Sequence, residues 1–354
     1  LLNSMRDYFT ILRCFKMIYP INQKFKKYGA LLCTSIILCV TSFSLSGCSS
    51  LPGKEDLAYN DTLFDTVIRI QILDPVEQDV LDGCKELCQY YDVLFSKTNE
   101  DSDIYKINNA GGAAVEVSED TLQLIKKGLY YCELSNGIFD ITIGAASNLW
   151  DFKAEAPEAP AEEATLEAVR HIDYRNVVID GNKVCLLDPA AALDLGAISK
   201  GYIADIIKEY LKDNGVRHAI IDLGGNILTL GTKTDGSDYN IGIQKPFDET
   251  GTPITSVRVA DKSVVTTGIY QRYFEADGVT YHHILDPMTG RPCDNDLNSV
   301  SIITDSSLTA DALSTVCYLM GLEKGMYLVN QLENVDAVFI TKDGELHYSK
   351  NFLK

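Results

Sequence analysis

Two adjacent histidines, His282 and His283, lie just before a turn-like sequence in which Asp286 is followed by Pro287. The chain contains only 5 histidines, so a neighbouring pair calls for an explanation. On a strand the two side chains would point to opposite faces, which disfavours a metal site held by both. One histidine beside a phosphate-binding turn is suited to act as a general base. The alternative is the polar end of a strand before a turn.

The segment DLGAISKG contains Asp194, Gly196, Lys200 and Gly201. Its glycines predict a tight turn that leads into a helix, with the lysine in the first helical turn. Free N–H groups at a helix N-terminus bind phosphate, and a lysine adds positive charge. The glycine spacing and the residue after the lysine both differ from a Walker A loop. The segment therefore predicts either a phosphate site or a structural glycine turn.

The sequence TADALST places Asp311 and Thr315 four residues apart, on one face of a predicted helix. A carboxylate and a hydroxyl are hard oxygen donors, which Mg²⁺ prefers. The alternative is that Asp311 is a first-turn acid favoured by the helix dipole and that Thr315 has no special role.

An aromatic residue beside a carboxylate, Phe139 and Asp140, follows a glycine turn in a stretch that also holds Trp150, the only tryptophan. Such a pair suits the ring and the edge donors of a heterocycle. Core packing is the alternative explanation for these aromatic side chains.

The elements that must position these residues are predicted as short strands joined by hairpins, with a few helices between them. The stretch after Gly137 is predicted to be extended, and Asp180-Gly181 predicts a hairpin turn. Cys84 and Cys88 lie one helical turn apart and suit a core face. Strands outnumber helices, so the predicted fold class is α+β with mixed, largely antiparallel sheets and flanking helices. Predicted helix ends are Ser118 and Gly137, then Gly215, and a start near Ser307 or Thr309.

The first 47 residues have the organisation of a signal peptide, with lysines at 24, 26 and 27 before an apolar run. The run ends in LSGC, which resembles the bacterial lipobox. This resemblance implies cleavage before Cys48, a lipid on its sulfur, and an extracytoplasmic protein anchored to the cell membrane only through that lipid. A plain secretory signal or a membrane anchor is the alternative. Residues 48–62 are predicted to be a tether, and residues 63–354 are predicted to be the folded domain. Residues 1–16 are predicted to lie before the true start of translation.

The composition limits the range of partners. A hydrophobic fraction of 46% is sufficient for a core, and the net charge is −19. The basic residues of the predicted signal peptide make the remainder more acidic than the whole. Such a surface repels phosphate backbones, so we expect no nucleic-acid partner.

In their residues and in their order along the chain, these motifs resemble those of the ApbE family, whose members are lipoprotein FAD:protein FMN transferases. The likeness runs from about Leu63 to Gly321. The resemblance implies two lobes around a nucleotide cleft and a Mg²⁺-dependent reaction. FMN would pass from FAD to a Thr or Ser of an acceptor protein, and AMP would leave. The expected acceptor is an exported or membrane protein with an FMN-binding domain. The motifs that carry the likeness are FDTVIRI, FSKTNEDSDIYKIN, GIFDITIGAASNLWDF, LDLGAISKGYIAD, IIDLGGNI, TTGIYQRYF, HHILDPMTG and TADALST.

The resemblance also implies roles for single residues. His283 matches the family's functional histidine and is expected to be the catalytic base, whereas His282 matches no required position. The backbone carbonyl of Ala197 and the side chains of Asp311 and Thr315 are the expected Mg²⁺ ligands. The expected contacts to FAD are Lys200 at the phosphates, together with Phe64, Asp103, Ile104, Tyr105, Phe139, Asp140 and Ile284.

Two other functions remain open at this point. A relative with the same site would hydrolyse FAD to FMN and AMP, with water as the nucleophile. A non-catalytic flavin-binding lipoprotein is disfavoured because Lys200, His283, Asp311 and Thr315 are all present. The chain has no Ser/Thr-Gly-Ala-Ser/Thr acceptor motif, so it is not expected to modify itself.

Overall fold

The computed structural model describes residues 57–248 and 250–353. The predicted signal peptide, Cys48 and most of the predicted tether therefore lie outside the described residues. Within these ranges the chain forms an α+β domain, as expected. No helix of the described part is long and apolar enough to cross a membrane.

The largest sheet has eight strands, and each strand is antiparallel to its neighbours. In spatial order its strands are β1 (Leu57–Leu63), β2 (Thr66–Ile72), β6 (Ala219–Leu223), β7 (Asn226–Leu230), β10 (Ser263–Gly268), β15 (Leu297–Thr304), β16 (Asp336–Thr341) and β17 (Leu346–Tyr348). Tight hairpins join β1 to β2, β6 to β7 and β16 to β17, whereas the other neighbouring strands are joined by longer connections.

Four small antiparallel sheets complete the strand set of the described residues. The predicted turn after Asp180 is confirmed, and Gly181 adopts the left-handed conformation (φ 60°) that a two-residue turn requires. The strands are β3 (Val115–Glu116), β5 (Lys183–Leu186) and β4 (Val177–Asp180); β8 (Tyr239–Gln244) and β9 (Pro253–Val259); β11 (Tyr273–Ala276) and β12 (Val279–His282); β13 (Leu285–Asp286) and β14 (Arg291–Pro292).

The predicted helix signals are confirmed. The Ser118 hydroxyl accepts a hydrogen bond from Thr121 N, and the final helix begins at Ser307. This final helix is interrupted at Gly321, where φ is 75°. A 3₁₀ turn spans Tyr174–Asn176. The helices described are α1 (Gln78–Leu94), α2 (Asp103–Asn108), α3 (Glu119–Leu134), α4 (Gly144–Ser147), α5 (Glu162–Val169), α6 (Ser199–Asp213) and α7 (Ser307–Val329).

The central sheet is covered on both faces, because successive strand residues point to opposite sides. On β10, Val265 packs with α3 and α7 residues, whereas Val264 packs against the hairpin of β8 and β9. On β15, Ile302 packs in the cluster with α3 and α7, whereas Ile303 packs in the cluster with β8 and β9. The polar residues at the end of β10 are therefore held between a packed sheet and α7.

Two local expectations differ from the structure, and a third is confirmed. Residues 57–62, predicted as part of the tether, belong to β1, which pairs with β2 along its whole length. The stretch after Gly137 is not extended, since it contains the short helix α4. Cys84 and Cys88 are both buried, as expected.

Candidate active site

A cavity of about 430 Å³ opens beside the end of β10 and the first turns of α6 and α7. Its volume lies within the range of small-molecule sites. It brings together most of the residues singled out from the sequence. The predicted site residues on its lining are Phe139, Asp140, Ala197, Lys200, His283, Ile284, Asp311 and Thr315.

The carboxylate of Asp311 is fixed at the base of the cavity. It is 4% exposed, and its Oδ2 accepts a hydrogen bond from Gly201 N at 2.8 Å. A side chain at position 201 could not be accommodated, since a Cβ there would overlap the carbonyl oxygen of Ser307. The glycine of the DLGAISKG turn thus lets α6 approach α7 and orient the carboxylate.

The start of α7 is anchored by a second carboxylate. Asp205, on α6, accepts hydrogen bonds from Ser306 Oγ (2.8 Å), Ser307 N (2.8 Å) and Leu308 N (3.0 Å). The N–H groups of Ser307 and Leu308 are among those that a helix N-terminus leaves without partners. Asp311, one to two turns further on, is therefore held in place by α6 at two points.

Hydroxyl groups extend the oxygen cluster around Asp311. Thr267, on β10, lies 3.1 Å from Thr315 between their Oγ1 atoms. Asn226 Nδ2 lies near the Asp311 carboxylate, yet it is a buried donor without a hydrogen bond of standard geometry. Burial raises the pKa of Asp311, and the nearby Lys200 ammonium and the Gly201 N–H oppose that rise.

Lys200 lies in the first turn of α6, as predicted, and its Nζ is 3.3 Å from the carbonyl oxygen of Gly196. This weak contact leaves ammonium protons free for the cavity. The side chain combines with the N-terminal end of α6 to provide positive charge where an anion would bind.

His283 follows directly after β12 and faces the cavity. Its Nδ1 lies 3.2 Å from the carbonyl oxygen of Arg272. Because a carbonyl oxygen only accepts hydrogen bonds, Nδ1 carries the proton and Nε2 keeps its lone pair. Burial lowers the pKa of His283 to about 3, and the positive charge of Arg272 lowers it further. The ring is therefore neutral at pH 7 and has the form of a base.

His282 has a different environment, and both of its nitrogens are engaged. Nε2 donates to the carbonyl oxygen of Cys293 at 3.2 Å, and Nδ1 accepts from Ile284 N at 3.3 Å. The side chain is 6% exposed, and burial lowers its pKa to about 4. His282 has no free lone pair and does not line the cavity, so only one of the two adjacent histidines reaches the site.

Phe139 and Asp140 are both buried at the cavity wall. Asp140 Oδ1 accepts from Thr142 N (2.8 Å) and Thr142 Oγ1 (2.6 Å), and its Oδ2 accepts from Tyr174 N (2.9 Å). A carboxylate offers about four acceptor positions. Most of this carboxylate's capacity is therefore used to shape the wall, and about one position remains for a ligand.

Four predicted nucleotide contacts lie away from the cavity lining. Phe64 packs on the core beneath the sheet, although its neighbour Asp65 does reach the cavity. Asp103 Oδ2 instead accepts from Ser118 N and Thr121 Oγ1, both at 2.8 Å, and so joins α2 to α3. Ile104 is fully buried, and Tyr105 lies on the same short helix.

A polar triad on the lining was not predicted from the sequence. Lys97 Nζ donates to Asp194 Oδ2 (2.8 Å) and to Ser147 Oγ (2.9 Å), and Ser147 Oγ donates to Asp194 Oδ2 (2.7 Å). Burial favours a higher pKa for Asp194, but the Lys97 charge and these donors outweigh it and lower the pKa to about 2. Asp194 was visible within DLGAISKG, whereas nothing local marks Lys97.

Aromatic side chains form another part of the cavity lining. Trp150 and Phe152 stack with their ring centroids 5.6 Å apart, and both line the cavity. Trp150 Nε1 also donates to the carbonyl oxygen of Gly290 at 2.9 Å, which ties this wall to the turn after β13. The cavity thus joins an apolar, flat-sided region to a polar region that carries cations and oxygen ligands.

Comparisons with known proteins agree with this geometry. The model of the ApbE family matches residues 64–339. An FAD:protein FMN transferase of Treponema pallidum is 34% identical over 343 residues, covering 91% of this chain and 93% of the relative. Another from Klebsiella pneumoniae is 38% identical over 267 residues, covering 74% and 82%.

Solved structures give the same result. The ApbE protein of Thermotoga maritima superposes with a TM-score of 0.77 at 30% identity, covering 84% of this chain and 98% of that one. The flavin transferase ApbE of Vibrio cholerae gives 0.74 at 27% identity, with the same coverage. Most of the chain, including every residue of the cavity, falls within the matched range, and the protein therefore belongs to the ApbE family.

Proposed function

We propose that this protein transfers the FMN half of FAD to a threonine or serine hydroxyl of an acceptor protein. The observation that carries the proposal is one cavity that holds a neutral histidine with a free Nε2, a lysine at a helix N-terminus, and a carboxylate–hydroxyl cluster. Its curated relatives are named FAD:protein FMN transferases.

In this reaction the acceptor oxygen attacks the phosphorus on the FMN side of the pyrophosphate. The bond from that phosphorus to the bridging oxygen breaks, and AMP leaves with that oxygen. Nε2 of His283 accepts the hydroxyl proton, a contribution of roughly 10²–10⁴-fold for a positioned base. The hydroxyl proton requires a neutral acceptor. The ring of His283 is neutral at pH 7 because its pKa is lowered.

The oxygen cluster fits a magnesium ion. Asp311 and Thr315 line the cavity together with the backbone of Ala197, and all three offer hard oxygen donors. The described residues hold no group of three or more His, Cys, Asp or Glu that could bind a metal ion, so an ion here would depend on one carboxylate, neutral oxygen ligands and the substrate phosphates. Mg²⁺ commonly binds through one or two carboxylates plus substrate phosphates, and a bound ion here would neutralise phosphate oxygens.

The remaining residues position the substrate. Lys200 and the N-terminus of α6 bind phosphate oxygens and stabilise the charge that develops as AMP leaves. Phe139 and Ile284 provide apolar surface for the flavin ring, and Trp150 adds an aromatic face. This division matches a substrate with a flat heterocycle at one end and phosphates in the middle.

The test mixes purified residues 49–354 with FAD, MgCl₂ and a candidate FMN-binding domain, and mass spectrometry measures FMN attached to the acceptor. We expect an acceptor adduct of one FMN and one AMP released for each adduct. Omission of Mg²⁺ and the variant His283→Ala are the controls. FMN and AMP formed beside an unmodified acceptor would indicate a hydrolase, and unchanged FAD would indicate a binding protein.

We also propose that Cys48 is lipidated and anchors the protein at the outer side of the cell membrane. The motif LSGC after a basic and then apolar segment supports this proposal. Cells that express the full chain are labelled with a palmitate analogue. Cys48→Ala should abolish labelling, whereas Cys185→Ala should not. Label retained by Cys48→Ala would contradict the lipid anchor.

A further inference from the structure

Exposed aromatic rings lie together next to the cavity. Phe247 and Tyr273 are 47% and 40% exposed, and their ring centroids are 5.4 Å apart in an edge-to-face arrangement. The ring of Tyr270, which is only partly exposed, has its centroid 6.1 Å from that of Phe247. These three residues are called the mouth patch. Large apolar side chains that remain exposed in a group commonly mark interaction surfaces.

The mouth patch is continuous with the entrance of the cavity. Gln271 and Arg272 lie between Tyr270 and Tyr273 in the chain, and both are exposed and line the cavity. The carbonyl of Arg272 also holds Nδ1 of His283. The patch is therefore carried by the same stretch of backbone that orients the base.

The backbone of Phe247 is held in an unfavourable conformation. Its φ is 56°, in the left-handed region that bulky residues rarely occupy. The strain does not bury the ring, because nearly half of its surface remains exposed. Strain that packing does not explain is common at binding and catalytic surfaces.

We propose that the mouth patch is the docking surface for the acceptor protein, an inference that rests on the proposed function. In the proposed reaction FAD binds in the cavity, but the hydroxyl that attacks it belongs to a second protein. That hydroxyl must enter beside Arg272 and His283, so the surface around it must rest on the rim. Aromatic side chains at a rim bind a protein surface with large contact area and little loss of side-chain freedom.

The test measures binding and turnover separately with the full chain in detergent. The probe is a purified FMN-binding domain that carries a Ser/Thr-Gly-Ala-Ser/Thr motif. The variants are Phe247→Gly, which tolerates the positive φ without the ring, Tyr273→Ala, and both together. The matched control is Tyr327→Ala, since Tyr327 is 70% exposed on α7 and belongs neither to the mouth patch nor to the cavity lining.

We expect the double variant to raise the Kd for the acceptor domain about tenfold or more, as loss of interface aromatic anchors does. The KM for the acceptor should rise in parallel, while the Kd for FAD and the thermal midpoint stay unchanged. An unchanged Kd for the domain, absence of binding by the wild-type chain, or an equal loss in Tyr327→Ala overturns the proposal. A dimer that only the double variant disrupts also overturns it, because the patch would then be a self-association face.

The two proposals fail in different ways. A wild-type chain that binds the domain through the patch but attaches no FMN contradicts the proposed function alone. A wild-type chain that attaches FMN at a KM the variants leave unchanged contradicts the docking surface alone.

Discussion

The two walls of the cavity are built differently. The wall that carries Asp311 and Thr315 is formed by α6, α7 and the end of β10, and Asp311 is 4% exposed. The wall that carries His283 comes from the β11–β12 hairpin and the turns around it, with Arg272 exposed. The first wall belongs to the eight-stranded sheet and the helices packed on it, whereas the second is carried by a separate two-stranded sheet and its adjoining turns.

This difference corresponds to the two substrates. Charge on a pyrophosphate is stabilised best by groups that are oriented before the reaction begins, and a core held at two points by Asp205 and Gly201 provides this. A protein acceptor requires an accessible rim instead. A two-stranded hairpin is only marginally stable alone, and here its own Phe274 and Tyr281 pack against Trp150.

Loss of the Asp311 carboxylate should have the largest effect. Asp311→Ala removes the only carboxylate of the proposed Mg²⁺ ligands, so we expect transfer to be abolished while FAD binding weakens less. Residual activity should no longer depend on Mg²⁺. Asp305→Asn is a matched control, because Asp305 is an exposed carboxylate on the same segment. Full activity in Asp311→Ala, or wild-type activity that a chelator leaves untouched, contradicts the magnesium site.

Loss of His283 should have the next largest effect. His283→Ala removes the base, and kcat for transfer should fall by roughly 10²–10⁴-fold with little change in the Kd for FAD. Steady-state kinetics at saturating FAD and Mg²⁺ measure this. A kcat within a few-fold of wild type would place the base elsewhere.

The pH profile of the wild-type protein tests whether His283 stays neutral in its buried environment. A histidine of ordinary pKa 6.5 would be mostly protonated at pH 6, with a loss of roughly fourfold. Because the pKa of His283 is lowered to about 3, its base form persists at pH 6. We therefore expect kcat/KM for FAD, which reports the free enzyme, to change by less than about twofold between pH 8 and pH 6. A fourfold loss with a midpoint near 6.5 would contradict the environment described for His283.

A substitution at Lys97 tests whether the polar triad of Lys97, Ser147 and Asp194 positions FAD. In Lys97→Met, Asp194 loses its ion pair at 2.8 Å, and we expect the KM for FAD to rise about tenfold with a smaller change in kcat. Lys97→Arg should restore much of the loss. Lys262→Met is a matched control, since Lys262 forms a similar ion pair with Asp305 away from this cavity. A lowered thermal midpoint with unchanged KM would indicate a purely structural ion pair.

The parts of the fold that the sequence predicted are those with local causes. The cap at Ser118, the hairpin at Gly181 and the Ser306 cap of α7 each involve residues within a few positions of one another. Helix α4 was missed because its cause is distant. The backbone at Gly144 packs against the carbonyl of Ala192, with no room for a Cβ, and a bridge joins Ile143 to Ala192.

Prediction of the site residues from the sequence was also limited to local relationships. Asp311 with Thr315, and His282 with His283, were recognisable because helix and strand periodicity relate neighbours. Lys97 pairs with Asp194 across 97 residues, and only the folded chain brings them together. Asp103 and Ile104 were assigned to the nucleotide from the resemblance alone, and the structure gives them roles in joining α2 to α3 and in the core.

His282 should have the smallest effect on catalysis and a measurable effect on stability. The sequence placed His282 on the opposite face from His283 and gave it no required role, but both of its nitrogens are hydrogen-bonded in a buried site. His282→Asn leaves at least one buried partner unpaired, so we expect the free energy of unfolding at pH 8 to fall by about 1–3 kcal/mol. Denaturant unfolding measures this, and kcat per folded molecule should stay close to wild type. His347→Asn, at an exposed position, should change stability by less than about 0.5 kcal/mol.

The pH dependence of that loss identifies its cause. The pKa of His282 is lowered to about 4 in the folded protein, so the unfolded chain binds a proton first as the pH falls below about 6.5. Its contribution is complete above pH 6.5 and is lost between 6.5 and 4, by about 2 kcal/mol at pH 5. The difference in stability between wild type and His282→Asn should therefore shrink as the pH is lowered from 8 to 5. If it stays constant, His282 is not buried as a neutral ring; if His282→Asn instead loses activity as severely as His283→Ala, the two histidines share the site and the contrast between the walls is wrong.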